Sequence, residues 1–192
     1  MKNKETYNFN LTMDVYELGK TFNCNWEYIV ENQVPEDVLR WALQRENEYL
    51  IADDEVFVQY PDYAGYYCSN YGRLISTKRK EPAFVKQLQL TKKYKGYTLS
   101  APEKETLTLT TGRMVADVFC LNFYRDKGRD FVDVHHIDHN PENNCWKNLV
   151  LLANPLHDVV HKLDKKDGVM DPFVVCVSPA VDGNLYPESL RK

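Results

Sequence analysis

The sequence lacks long apolar runs, an evident targeting segment and paired cysteines. It contains no stretch of about 18 apolar residues, so we expect no transmembrane helix. Its first residues, MKNKETYNFN, have no apolar core of the kind found in signal peptides, which predicts a cytoplasmic protein. The five cysteines are scattered without a C-x-x-C pair, so we expect free thiols and no cysteine-ligated zinc ribbon.

Histidine is also scarce, and all of it lies in one short segment. Residues 134–161 contain every one of the five histidines, namely His135, His136, His139, His157 and His161. Unrelated core or surface histidines are the plain alternative for such a set. Their concentration in one segment favours a shared chemical site instead.

The net charge of −4 gives the whole chain no attraction for nucleic acid, but the charge is unevenly distributed. Residues 1–62 carry 13 acidic against 5 basic side chains, a net charge of −8. Residues 73–97 carry 8 basic side chains against the single acidic Glu81, a net charge of +7. From charge alone, this basic stretch is either a solvated lysine-rich loop or a surface that binds phosphates.

The first 123 residues change from a helical to a strand-rich pattern. A helix is predicted over residues 34–51, which begin with Pro35 and acidic residues. Residues 55–110 alternate short apolar runs with turn residues, which predicts short strands and a lysine-rich hairpin over 88–110. Residues 111–123 predict a short helix, and its expected buried residues are Met114, Val115, Val118 and Phe119.

The histidine-rich segment predicts a strand, a loop, a second strand and a helix. FVDVHHI alternates and is rich in β-branched residues, which favours a strand. DHNPENNCWKN is dense in Asn, Asp and Pro, which favours a loop, and LVLL is a short apolar strand. NPLHDVVHKL then begins a helix, with Asn154 as the expected N-cap and Pro155 at the first helical position.

The spacing of the histidines predicts a metal site on this framework. His157 and His161 are four residues apart, so their rings lie on one face of the helix. His135 and His136 are neighbours on a strand and point to opposite faces, so one of them can join the helical pair. Three imidazoles leave a coordination position open, as in catalytic sites. Imidazole ligands favour zinc, nickel, copper, iron or manganese over magnesium or calcium. We expect one divalent ion, zinc first, with manganese, nickel or magnesium as alternatives.

Residues 134–161 resemble the active-site motif of HNH endonucleases, the ββα-metal or His-Me finger nucleases. The shared features are the H-H pair, I-D-x-N-P-x-N-N, the N-L that opens the second strand, and H-x-x-x-H on the helix. The all-histidine version is similar to that of the bacterial toxin DNases. The resemblance implies an α+β chain with a small ββα-metal nuclease core.

The resemblance also implies a role for the residues of this core. His136 is expected to be the general base that draws a proton from the attacking water. Asn148 is expected to hydrogen-bond across the loop and to orient His136. The expected ligands of one divalent ion are His135, His157 and His161, and the ion would stabilise charge at the scissile phosphate and its 3′-oxygen.

The remaining polar residues of the loop are His139, to which the resemblance gives no role, and four Asp and Asn residues. His139 stands where many members have glycine, and we interpret it as a loop residue near phosphate. The residues expected to tie the loop together are Asp138, Asn140, Asn143 and Asn144.

A second resemblance lies upstream of the histidines. Residues 55–79 are similar to a small domain found before HNH motifs in phage and homing endonucleases, with Phe57 in place of the usual tryptophan. RMVADVF is similar to the helix that precedes the nuclease core, with Gly112 in place of the usual histidine. These modules are expected to contact DNA. The candidate DNA-binding residues are Arg73, Lys78, Arg79, Lys80, Lys92, Lys93 and Lys95.

Four regions are therefore predicted. Their bounds are 1–54, an acidic and mostly helical segment of unknown role; 55–122, a small β-rich DNA-binding module; 123–168, the nuclease core; and 169–192, a C-terminal extension with a strand-like run at 173–177.

The expected activity is that of a metal-dependent endonuclease of the phage or homing type, which hydrolyses double-stranded DNA. One alternative is a non-catalytic DNA-binding protein with a structural metal site in the same ββα unit. Another alternative, a toxin-like nuclease with an immunity partner, agrees with the histidines but not with the upstream module.

Overall fold

A computed structural model of the chain describes residues 26–45, 55–120, 128–155, 157–158 and 160–161. These residues form short helices and three small antiparallel sheets, which confirms the predicted α+β class. None of the helices among them is long and apolar enough to cross a membrane. The predictions for residues 1–25 and for the strand-like run at 173–177 lie outside the described residues.

Two helices precede the first sheet. They are α1, Trp26–Glu31, and α2, Glu36–Arg45, which begins directly after Pro35 as predicted. Leu39 and Ala42 of α2 are buried and belong to one apolar cluster with Phe57 and Ile75 of the sheet. Trp41 lies on another face of the helix and is 54% exposed.

Residues 57–110 form two antiparallel sheets of short strands. The first contains β1 (Phe57–Gln59), β2 (Tyr66–Ser69), β3 (Leu74–Ser76) and β4 (Ala83–Phe84), in that order. The second contains β5 (Leu88–Gln89), β6 (Lys95–Leu99) and β7 (Leu107–Thr110). The predicted hairpin over 88–110 is confirmed, and its lysine-rich turn joins β5 to β6.

Helix α3, Thr111–Phe119, starts directly after β7 and packs against both the second sheet and the strands that follow it. The Thr110 hydroxyl caps the helix by accepting a hydrogen bond from the Arg113 N–H at 3.2 Å. The prediction of its buried face is confirmed, because the side chains at most 1% exposed include Met114, Val115, Val118 and Phe119. The helix and the strands on either side of it share one hydrophobic core, whose buried residues run from Ile29 of α1 to Leu151 of the last strand.

The histidine-rich segment has the predicted strand, loop and strand, followed by a helical segment. Strand β8, Val132–His136, pairs with β9, Leu149–Ala153, and His136 lies opposite Leu149. Helical residues at 154–155, 157–158 and 160–161 follow and are called α4 here. The predicted capping role of Asn154 is not seen, since this residue is already helical and its side-chain amide donates to the Asp130 carbonyl at 2.8 Å.

Candidate active site

Strand β8 separates the two adjacent histidines. His135 is 1% exposed and turns into the protein, whereas His136 is partly exposed. The alternation of side chains along a strand produces this separation, as the sequence predicted. Two imidazoles on consecutive residues therefore lie in different environments.

His135 meets the two histidines of α4. Its ring centroid lies 5.4 Å from that of His157 and 5.1 Å from that of His161. The Nε2 atoms of His157 and His161 are 3.0 Å apart. One nitrogen from each of the three residues lies within 4.8 Å of the others, so the three can hold a metal ion. We call this group the histidine cluster.

The chemistry of His135 fits a bound cation. Both of its ring nitrogens are buried without a hydrogen-bond partner among the described residues. Such a buried group costs about 1–3 kcal/mol when nothing satisfies it. Burial, followed by the neighbouring imidazoles of His157, His161 and His139, lowers the pKa of His135 from 6.5 to about 3. The ring is therefore neutral over the physiological range, and neutral imidazole is the form that binds metal.

Asp133 completes the surroundings of the cluster, and sequence reasoning missed it. Its Oδ2 lies 3.3 Å from Nδ1 of His157, the nitrogen on the other side of the ring from the cluster. A carboxylate in this position fixes the orientation of a ligating imidazole and raises its basicity. The signal was present in the sequence, because Asp133 is two residues before His135 on the same strand and such residues share a face.

His139 lies closer to the cluster than its interpretation as a simple loop residue implied. Its ring centroid is 5.4 Å from that of His135 and 5.8 Å from that of His161. The residue has a backbone φ of 58°, in the left-handed region that few residues other than glycine adopt. The prediction of a position in the loop is correct, but it did not anticipate that the loop directs this ring toward the metal-binding group.

His136, the predicted base, contacts Asn144 rather than Asn148. Its Nε2 lies 3.1 Å from the side-chain oxygen of Asn144. The side chain of Asn148 instead donates to Asp138 Oδ1 and to the Asn143 carbonyl, both at 2.8 Å. Asn148 thus makes the predicted hydrogen bonds across the loop, but the side chain in direct contact with the His136 ring is that of Asn144.

The loop between β8 and β9 is tied together by its own polar side chains, as predicted. Asp138 accepts hydrogen bonds from the Asn140 N–H at 2.8 Å and the Asn143 amide at 2.7 Å, in addition to that from Asn148. Burial alone would raise the pKa of Asp138, but these hydrogen bonds outweigh it and lower the pKa below its ordinary value. The carboxylate of Asp138 is therefore the centre of the loop.

Helix α3 supports the loop from the other side. A Cβ atom at Gly112 would lie 2.8 Å from the side-chain oxygen of Asn144 and 3.2 Å from both Cε1 and Nε2 of His136. Only glycine permits this close approach without a shift of the neighbouring side chains. A larger residue at position 112 would therefore displace Asn144 or His136.

A network of charged groups fixes the start of β8 relative to α3, and sequence reasoning did not identify it. Asp117 accepts hydrogen bonds from the Tyr60 hydroxyl at 2.6 Å, from Arg129 at 2.7 Å and from Arg113 at 2.8 Å. Arg113 also donates to the Val132 carbonyl at 2.7 Å. Burial, and then the Asp117 carboxylate, raises the pKa of Tyr60, so its hydroxyl remains a donor.

The candidate DNA-binding residues separate into one internal arginine and a set of exposed cations. Arg73 forms a two-pronged ion pair with the buried Glu55 and lies over the rings of Phe57 (5.5 Å) and Phe84 (5.2 Å). We therefore assign its guanidinium to the fold and remove it from the phosphate-binding set. The exposed residues are Lys78, Arg79, Lys80, Lys92, Lys93 and Lys95.

The comparisons with known proteins come from structure rather than sequence. No protein-family model matches the chain, and none of the curated proteins is similar to it in sequence. Among solved structures, the chain is similar to the HNH homing endonuclease I-HmuI, described as binding and cleaving DNA, with 23% identity and a TM-score of 0.47. The match covers 59% of this chain and 60% of that one. The neighbour is named as an HNH endonuclease, the family whose active-site motif residues 134–161 resemble. The function is proposed from this chain's own residues.

Proposed function

We propose that the chain is a metal-dependent endonuclease that hydrolyses phosphodiester bonds in double-stranded DNA. The observation that carries this proposal is the separation of His135 from His136 on β8. His135 belongs to a three-imidazole cluster, and His136 is held apart from it beside a polar loop. A purely structural metal site needs the cluster but has no use for a second, separately positioned imidazole.

The histidine cluster would hold one divalent ion through neutral nitrogens of His135, His157 and His161. When bound, the ion supplies Lewis-acid stabilisation of the charge that develops on the phosphate and the 3′-oxygen. Asp133 orients the His157 ring so that Nε2 faces the cluster. Three imidazole donors favour zinc, with manganese, nickel and magnesium as alternatives.

His136 acts as the general base in this proposal. Imidazole exchanges a proton near neutral pH, and the ring is accessible because it is only partly buried. Asn148 supports it indirectly by bracing the loop, and its backbone carbonyl accepts a hydrogen bond from the Ile137 N–H at 2.9 Å. The strand that carries the base also carries a cluster residue, so their relative position is set by the backbone.

The exposed cations of the β3–β4 turn and of the β5–β6 hairpin would bind the DNA backbone. Lys95 connects this surface to the active site, because its Nζ lies 3.8 Å from Oε1 of Glu142, in the loop between β8 and β9. Its carbonyl also accepts a hydrogen bond from the Thr111 hydroxyl at 3.2 Å, next to the glycine that packs on His136. DNA held along the hairpin would therefore run close to the base.

A non-catalytic protein with a structural metal site is the second candidate, and the position of His139 favours it. Its ring is close enough to the cluster for a modest loop movement to bring in a fourth imidazole. Four protein ligands would close the coordination position that catalysis needs.

Cleavage of supercoiled plasmid by wild type and His136→Ala, each with zinc, manganese, nickel or magnesium, tests the enzyme. We expect wild type to cut with at least one of these ions. The variant should lose roughly 100- to 10,000-fold in kcat, the usual contribution of a general base. Elemental analysis should show the same metal content in both proteins. Undiminished cleavage by the variant would remove His136 from the mechanism. DNA binding without cleavage under any of the four ions would establish the second candidate.

Reversing the charge of Lys92 and Lys93 tests the DNA-binding surface. The double Lys→Glu variant should bind duplex DNA more weakly, and the slope of log Kd against log salt should decrease by about one for each lost phosphate contact. Lys104→Glu is the matched control, because this exposed lysine lies in the β6–β7 turn, outside the basic stretch. Equal losses in the double variant and the control would place the DNA elsewhere.

A further inference from the structure

We propose that Asn144 is a positioning residue that fixes the tautomer of His136, with the proton on Nε2 and the lone pair of the base on Nδ1. The catalytic meaning of this inference rests on the proposed role of His136 as general base. The tautomer itself can be measured without any assay of cleavage. The sequence indicated Asn144 only as one of the residues that tie the loop together.

The orientation of the Asn144 amide determines which atom of His136 carries the proton. The Asn144 amide nitrogen donates to the Glu142 carbonyl at 3.3 Å. Rotating the amide by half a turn would set its oxygen against that carbonyl, and two acceptors would then face each other. The oxygen is therefore the atom that faces His136 at 3.1 Å. A carbonyl oxygen only accepts, so the ring nitrogen opposite it must carry a hydrogen.

The Asn144 side chain is itself held in place from three directions. Its backbone N–H donates to the same Glu142 carbonyl at 3.1 Å. A Cβ built on Gly72 would lie 3.5 Å from the Asn144 Cβ, and one built on Gly112 would lie 2.8 Å from the Asn144 oxygen. Both glycines therefore lie close to the Asn144 side chain, and its amide nitrogen is bonded to the Glu142 carbonyl.

The same packing encloses one edge of the His136 ring. Gly112 of α3 approaches the Cε1–Nε2 edge, as its absent Cβ would lie 3.2 Å from both atoms. Among the described residues, Nδ1 has no hydrogen-bond partner. Nε2 is thus covered and already donating, whereas Nδ1 is the nitrogen left to accept a proton from water.

Nitrogen NMR on zinc-loaded protein with ¹⁵N-labelled histidine tests the tautomer directly. The shifts of the two ring nitrogens distinguish a protonated from an unprotonated nitrogen, and His136→Gln identifies the signals by their loss. We expect a protonated Nε2 and an unprotonated Nδ1 in the neutral ring. A proton on Nδ1 in the wild-type protein would overturn the inference, even if His136→Ala abolishes cleavage.

Two substitutions of Asn144 separate the effect of its hydrogen-bond acceptor from the effect of its side-chain volume. Asn144→Asp keeps an acceptor opposite Nε2, whereas Asn144→Leu keeps the approximate volume without one. We expect the Leu variant to contain both tautomers and to lose kcat in proportion to the share with the proton on Nδ1, with little change in KM, because that tautomer has no lone pair on Nδ1 to accept a proton from water. The Asp variant should retain the wild-type tautomer, but its second carboxylate oxygen replaces the amide nitrogen that donates to the Glu142 carbonyl, so the tautomer and not kcat is the readout for this variant. A Leu variant with the wild-type tautomer and kcat would contradict the inference.

Asn140→Ala provides the matched loop control. This residue accepts a hydrogen bond from the Glu142 N–H at 3.1 Å, so its loss perturbs the same loop without touching His136. The His136 signals of this variant should report the wild-type tautomer. A switched tautomer in the control would show that general loop distortion, rather than the Asn144 oxygen, determines the proton's position. If the tautomer is as inferred and no ion supports cleavage, the proposed function fails while the positioning contact stands.

Discussion

The two sides of strand β8 satisfy their polar groups in opposite ways. On the loop side, Asp138 and Asn148 are fully engaged with neighbouring amides and backbone groups. On the cluster side, His135 has two buried ring nitrogens without a hydrogen-bond partner among the described residues. The loop is thus complete as a protein structure, whereas the cluster becomes complete only with a cation. Stability should therefore depend on metal on one side and on hydrogen bonds on the other.

The largest expected effect is that of metal on the cluster side. An ion that binds only the folded protein stabilises it by about 4 kcal/mol when its free concentration is 1,000 times Kd. Saturating zinc should therefore raise the Tm of the wild-type protein strongly. His135→Leu should abolish this increase, because it removes one of the three ligands.

The metal-free proteins provide the control for this experiment. Without zinc, His135→Leu should be at least as stable as wild type, because leucine removes a buried polar group that has no partner. Thermal unfolding with and without chelator measures both effects. If none of zinc, manganese, nickel and magnesium raises the wild-type Tm, then the two sides of β8 do not differ in their dependence on metal.

The sequence predicted the fold of this segment well because its information is local. The strand, the Asn-rich loop and the i, i+4 histidine pair each follow from neighbouring residues, and β8, the loop and β9 appear as predicted. The three predicted ligands also lie together, since a hairpin packed on a helix brings His135 to His157 and His161, while their binding of a metal ion stays a prediction.

The predictions that differ from the structure concern contacts between residues that are distant in sequence, or residues that have more than one possible partner nearby. Arg73 was expected to bind phosphate, yet Glu55 and two aromatic rings surround it, a pairing that only the folded sheet creates. Asn144 and Asn148 are both asparagines of the same loop, and sequence pattern alone does not determine which of them reaches His136. That choice depends on the approach of α3 at Gly112.

An intermediate effect is expected from breaking the loop side. Asn148→Ala removes the hydrogen bonds to Asp138 and to the Asn143 carbonyl. Because these groups lie near the surface, where water can replace a lost partner, each hydrogen bond should contribute about 0.5–1.5 kcal/mol to the free energy of unfolding. The zinc affinity should remain close to that of wild type, because none of the cluster residues is touched. Urea unfolding and zinc titration measure the two quantities, and a parallel loss of both would show that loop and cluster are one unit.

For each pH unit, the smallest effect is a dependence of the free energy of unfolding on pH that arises from His135 on the cluster side. The pKa of His135 is about 3 in the folded protein against an ordinary value of 6.5, so below 6.5 the unfolded chain binds a proton that the folded chain does not. The free energy of unfolding of the metal-free protein should therefore fall as the pH falls from about 6.5 toward 3. The decrease should be at most about 1.4 kcal/mol for each pH unit. In His135→Leu this contribution is absent, while the carboxylates shared by both proteins contribute equally. Because the metal-free leucine variant should start at least level with wild type, urea unfolding at a series of pH values should give two curves that diverge in its favour as the pH falls. Parallel curves would mean that His135 takes up its proton in the folded protein as easily as in the unfolded chain, and that burial does not keep it ready for metal.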